Sequence, residues 1–180
     1  MTAVVLSKEK VVTSKTDPKW KMKSFEDMKF KLILINGPNL NMLGKRDPEH
    51  YGSFTLGDVE KTASEKAASR GYELICFQSN HEGAIIDKIH ESMDLCDGII
   101  INPGAYTHYS YAILDALELC GLPAVEVHIS DISAREDFRK ISVTSSDCIA
   151  QIKGLGIAGY VKGSDILCDT IEKSLDRRNK

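Results

Sequence analysis

The chain has 180 residues, 42% of them hydrophobic, and its 23 basic and 26 acidic side chains leave a formal charge of −3. That length suits about one domain with a real core and excludes a wholly disordered chain. Nothing in the charge balance points to a nucleic-acid partner, and no apolar run reaches the ~20 residues a membrane span needs. The five cysteines (Cys76, Cys96, Cys120, Cys148 and Cys168) are widely spaced, contain no CxxC pair and sit among apolar neighbours. Reduced, mostly buried thiols and a cytoplasmic location are the expectation.

Residues 1–29 carry seven lysines, no arginine and the chain's one tryptophan, Trp20. The segment lacks the long apolar run of a secretory signal. It reads as a solvated arm ahead of a single domain, residues 30–180, with docking of Trp20 and Phe25 as the alternative.

From Phe30 the pattern is that of a packed α/β unit. Four short, nearly continuous apolar runs (Lys31–Ile35, Glu73–Phe77, Gly98–Ile101 and Ala124–Val127) read as strands buried on both faces. Helix-length segments fall between them. Thr55–Arg70 and Ser110–Cys120 each end at a glycine, Gly71 and Gly121, where a helix stop is expected. The segment after Glu82 places Ile85, Ile86, Ile89 and Met93 on one face. Gly159–Leu175 reads as a closing helix. Strands alternating with helices predict parallel βαβ units, a doubly wound α/β sheet with helices on both faces.

In such a sheet ligands bind beyond the carboxyl ends of the strands. Polar, glycine- and proline-bearing segments follow all four: Asn36–Asn41, Gln78–Gly83, Asn102–His108 and His128–Asp131. A site is expected there. Gly154-Leu-Gly156-Ile-Ala-Gly159 fits GxGxxG, but it follows the fourth βα unit, so it reads as a turn into the last helix and not as a dinucleotide site.

The loop from Asn36 to Gly57 is long enough for a lid and holds both Arg46 and Tyr51. A tyrosinate base near neutrality must ionise about 3 pH units below its ordinary value of ~10, at a cost of about 4 kcal/mol. A guanidinium ~4 Å away supplies roughly that at an effective dielectric of ~20. Glu126 and His128 are two apart on a strand and so share a face. A carboxylate beside an imidazole orients the ring and favours its charged form, which suits a general acid; a structural histidine is the competing reading. His108 and Asp115 are seven apart on the expected third helix, which puts them on one face. Arg135 and Arg139, four apart, read by themselves as solvated charge.

The stretches INGPNLNMLGKRDPEHYG, FQSNHEG, INPGAYTHYSYA, VEVHIS, AREDFR and GLGIAGY, in this order between Lys31 and Tyr160, resemble the type II 3-dehydroquinate dehydratases. The resemblance implies a flavodoxin-like fold with a five-stranded parallel sheet, and trimers that pack into dodecamers. It implies an anti elimination of water from 3-dehydroquinate through an enolate, with no metal, organic cofactor or Schiff-base lysine. By the same resemblance Tyr51 is the base, Arg46 promotes its ionisation, and Asn39 stabilises the enolate through a held water. His128, supported by Glu126, is the acid. Ile129 and Ser130 would take the substrate carboxylate; Asn102, His108 and Arg139 would hold ring hydroxyls. Asp115 would reach in from a neighbouring subunit. Asp131 replaces the family's usual Asn and is expected to bring negative charge near the carboxylate site. Leu114 replaces a frequent Arg. A non-catalytic binding protein on the same scaffold, or a flavin carrier, are the other readings the scaffold allows.

Overall fold

The computed structural model describes residues 30–45 and 54–178. Arg46, Tyr51 and the amino-terminal arm, Trp20 and Phe25 included, therefore lie outside the described residues.

The elements run β1 (Phe30–Asn36), α1 (Leu56–Arg70), β2 (Tyr72–Gln78), α2 (Glu82–Leu95), β3 (Gly98–Asn102), α3 (Tyr111–Cys120), β4 (Ala124–His128), α4 (Asp137–Lys140), β5 (Ala150–Lys153) and α5 (Ile157–Arg178). All strand pairs are parallel, in the order β2-β1-β3-β4-β5. This is the flavodoxin-like order, whose switch point lies between β1 and β3.

Successive side chains of β1 and β3 alternate between two cores. Leu32, Leu34 and Ile100 join Val59, Ala63, Val125, Val127 and Leu167 under α1 and α5. Ile33, Ile35, Ile99 and Ile101 join Ile85, Ile89, Ile113 and Leu117 under α2 and α3. Both faces of the central strands are thus covered, which is why they read as unbroken apolar runs and not as alternation. Arg70, at the end of α1, ties it to α5 through Asp165, Asp169 and Glu172 at 2.8–3.1 Å.

The helix boundaries have local causes. Thr55 caps α1 in a reciprocal capping box with Asp58. Ser110 caps α3 by accepting the Ile113 N–H. Gly71 and Gly121 end their helices in the left-handed conformation. The GLG segment does lead into a helix as a turn, with Gly154 and Gly156 both at positive φ.

Three expectations need correction. The buried face of α2 is Ile85, Ile89 and Ser92; Met93 is 41% exposed, because a 3.6-residue period reaches residue 92 before 93. His108 is not on α3: it ends a 3-10 turn, Gly104–His108, and the chain bends at Tyr109 before α3 begins. Only two of the five cysteines, Cys120 and Cys168, are buried; Cys76, Cys96 and Cys148 are half-buried. No helix among the described residues is long and apolar enough to cross a membrane.

Candidate active site

Asn36, Asn102 and His128 are the last residues of β1, β3 and β4, so rigid strands deliver them side by side at the carboxyl edge of the sheet. A cleft of about 240 Å³ opens there, lined by Pro38, Asn39, Asn102, Gly104, His108, His128, Ile129, Ser130, Arg135 and Arg139 among others. A larger groove, about 550 Å³, lies at the opposite edge around Phe30, Leu122, Pro123 and Ile171. It offers two carboxylates, Asp97 and Asp147, but no imidazole or guanidinium. Of the two, only the first cleft presents imidazole and guanidinium groups.

Its centre is a buried carboxylate–imidazole pair. Glu126 is fully buried, and its Oε1 accepts from His128 Nε2 at 2.7 Å. Ser142 Oγ and Gln151 Nε2 each donate to the same oxygen at 2.7 Å, Thr107 Oγ1 lies 3.1 Å away, and Thr144 Oγ1 donates to Oε2. Burial alone would push this carboxyl up. The hydrogen bonds and charge of His128, with Thr144 and Gln151, outweigh it and hold the group well below the usual carboxylate range. Glu126 is therefore an anion that can only accept, which fixes a proton on His128 Nε2 and leaves Nδ1 as the ring's exchangeable position. The Glu126 charge and burial in turn push the Cys148 thiol up to about 12, with burial the larger cause.

His108 is set the other way round. Its Nδ1 lies 2.7 Å from the Ile141 carbonyl, which can only accept, so Nδ1 carries the proton and Nε2 is left as an acceptor. Asn102 is fixed at both ends: its Oδ1 accepts the Gly104 N–H at 3.1 Å, and its Nδ2 donates to Tyr160 Oη at 2.7 Å. Asn39 stands at the cleft with φ 66°, the one non-glycine residue at positive φ among those described. Arg139 Nε lies 3.3 Å from Glu136 Oε2, without the geometry of a hydrogen bond.

Of the residues singled out by sequence, Asn39, Asn102, His108, His128, Ile129, Ser130 and Arg139 line one cleft, with Glu126 directly beneath it. Asp115 does not join them; it is exposed on α3. Asp131 is not at the cleft either. Its carboxylate, next in sequence to Ser130, accepts the Ser133 N–H at 2.9 Å and caps the turn Ile132–Ala134. Arg135, read from its spacing with Arg139 as solvated charge, lines the cleft. Missed by sequence were the cradle of Thr107, Ser142, Thr144 and Gln151, and Tyr160 behind Asn102.

Comparison with known families matches residues 30–168 to "Dehydroquinase class II". The chain is 56% identical over 130 residues to proteins named 3-dehydroquinate dehydratase from Bacillus cereus (strain AH187) and Bacillus anthracis (strain A0248), covering 72% of this chain and 89% of each relative. Among solved structures it is similar to a type II dehydroquinase from Butyrivibrio crossotus DSM 2876, with 51% identity, a TM-score of 0.74, and 77% of this chain and 97% of that one covered. It is similar also to the type II dehydroquinase from Propionibacterium acnes, with 38% identity, a TM-score of 0.76, and coverage of 79% and 98%. The chain belongs to the class II dehydroquinase family, enzymes whose known reaction is the dehydration of 3-dehydroquinate.

Proposed function

We propose that this chain dehydrates 3-dehydroquinate to 3-dehydroshikimate by an anti elimination through an enolate, a step of the shikimate or the quinate pathway. The observation that carries the mechanism is the Glu126–His128 pair, at 2.7 Å, under a cleft that also presents Asn39, Asn102, His108 and Arg139.

Tyr51, as a tyrosinate whose ionisation Arg46 promotes, takes the proton from the carbon next to the ketone. The C–H electrons move into the enolate, whose oxygen Asn39 stabilises through a held water. Collapse of the enolate expels the β-hydroxyl, which receives a proton from His128 Nδ1 and leaves as water. The anionic Glu126 keeps His128 oriented. His108 Nε2, an acceptor, suits a ring hydroxyl that donates. Asn102 and Arg139 hold further hydroxyls, and Ile129 and Ser130 take the carboxylate. Ketone activation of the C–H makes this chemistry accessible to side chains alone, so the reading calls for no cofactor.

The same reading assigns the work to residues 30–180, leaves 1–29 as an arm, and places the enzyme in the cytoplasm. Its five free thiols support that compartment. It also assembles the chain as a dodecamer of four trimers in which Asp115 completes a neighbour's site. In support, Tyr111 and Leu119 flank Asp115 at i−4 and i+4 on the outer face of α3 and are 65% and 66% exposed.

The test is the ultraviolet rise of the conjugated enone when purified protein meets 3-dehydroquinate, with chelator and borohydride controls. Tyr51→Phe should abolish the rise. A Tyr51→Phe protein as active as the parent would remove the tyrosinate base, and full activity from a monomer in light scattering would remove the shared Asp115.

A further inference from the structure

The turn Gln78–Gly83 has no place in the mechanism above, and none of its residues lines the cleft. It is nevertheless tied to the loop that carries Asn39. Asn80 Oδ1 accepts the Asn39 backbone N–H at 2.9 Å. Gln78 Nε2 donates to that same Oδ1 and to the Gly37 carbonyl, both at 3.1 Å. The Asn80 carbonyl accepts from Tyr106 Oη at 2.9 Å, and the Ser79 N–H donates to the Asn36 carbonyl at 3.0 Å. The turn thereby joins the ends of β1, β2 and β3.

Asn39 needs such a restraint. A non-glycine residue in the left-handed region holds a conformation its Cβ disfavours. Asparagine usually offsets this by bonding its own side chain to the local backbone. Asn39 makes no such bond, although it stands at the start of the 3-10 turn Leu40–Met42. Its amide group is left for the cleft, and the conformation must be held from outside.

We propose that Asn80 is a positioning residue: its side-chain carbonyl locks the Asn39 backbone in the left-handed conformation that turns the Asn39 amide to the enolate side of the cleft. This rests on the dehydratase reading for its kinetic consequence and on geometry alone for its structural one. Aspartate offers the same acceptor oxygen to both the Asn39 N–H and Gln78, whereas alanine offers none. Asn80 is exposed, so an added carboxylate stays solvated.

The experiment compares wild type, Asn80→Ala, Asn80→Asp, Asn39→Ala and the Asn39→Ala/Asn80→Ala double variant, by kinetics and by crystal structure. Because Asn39 acts on the developing enolate, Asn80→Ala should lower kcat about tenfold or more, with KM changed less than about threefold. Asn80→Asp should keep kcat within about threefold of wild type. In the Asn39→Ala background, Asn80→Ala should lower kcat no further. Residue 39 should leave the left-handed region in Asn80→Ala and stay there in Asn80→Asp. An Asn80→Ala enzyme with wild-type kcat and Asn39 still at positive φ overturns the proposal, and so does a loss that Asn80→Asp fails to restore or that adds in full to Asn39→Ala. If wild type itself does not turn over 3-dehydroquinate, it is the dehydratase reading that falls. The backbone at residue 39 then decides the clamp: released in Asn80→Ala supports it, unchanged overturns it.

Discussion

His128 Nε2 and Glu126 Oε1 lie 2.7 Å apart on the last three residues of β4, both side chains buried, with Ser142, Thr144 and Gln151 donating to the same carboxylate. The carboxylate is over-supplied with donors, so losing the imidazole should not unfold it. Replacing His128 by Gln keeps an amide donor near Glu126 but removes the acid. The expected result is a kcat fall of ~10²–10⁴, the usual worth of general acid catalysis, with little change in melting temperature. Steady-state rates and thermal melts of the same preparation check both halves.

The same carboxylate gives stability a pH signature. Glu126 is held at about 2 against an ordinary value of 4.5, so the folded state binds its proton less readily than the unfolded chain. Its contribution is fully present above pH 4.5 and is lost as pH falls towards 2. Unfolding free energy from urea titrations should fall across that window in the wild type. In Glu126→Gln, lower in stability at neutral pH, the slope through the window should be shallower. Equal slopes would contradict the buried anion.

Tyr160 lies behind the cleft and is expected to act through Asn102. Its hydroxyl accepts from Asn102 Nδ2 at 2.7 Å and donates to Asn36 Oδ1 at 3.2 Å. Burial pushes the phenol up, so it stays a neutral donor and acceptor at any working pH. Tyr160→Phe leaves Asn102 Nδ2 unpaired in the interior, at a cost of about 1–3 kcal/mol of stability. It also frees the Asn102 amide to turn, which should raise KM more than it lowers kcat. The discriminating measurement is Tyr160→Phe in an Asn102→Ala background, where the stability loss should shrink and the KM effect should vanish.

What could be read from sequence follows from what one dimension records. β1 and β3 were legible because burial on both faces writes an unbroken apolar run, β4 because only Glu126 interrupts one, and their polar ends announced the cleft. β5 was not, because Ala150–Lys153 is four residues long with only Ile152 buried; a fifth strand entered only through the family resemblance. His128 and Glu126 were legible as neighbours on one strand face. Their cradle was not, because Thr107, the Ser142–Thr144 segment and Gln151 come from three separate places, and a lone hydroxyl carries no pattern. His108 was put on the wrong element although Ser110, two residues on, is the cap at which α3 begins. Arg46 and Tyr51 stand where only the resemblance speaks for them.

The closest backbone approach in the site yields the last prediction. Gly37 follows β1, and its N–H donates to the Asn102 carbonyl at 2.8 Å. A Cβ built there would sit 2.4 Å from the Pro103 carbonyl oxygen, a backbone atom with no rotamer to escape through. Gly37→Ala must push Pro103 away, and Asn102 and Gly104 with it, on one side of the cleft. Overpacking of this kind costs about 1–3 kcal/mol, and the displaced Asn102 should lower kcat/KM as well. Gly83 provides the control: it lies in the first turn of α2 with nothing within 4 Å of an added Cβ. Gly83→Ala should leave activity intact and raise stability by up to about 1 kcal/mol, since alanine surrenders less backbone freedom in a helix. Thermal melts and kinetics on the pair separate the two causes, for both variants add the same methyl group and only one of them meets a wall.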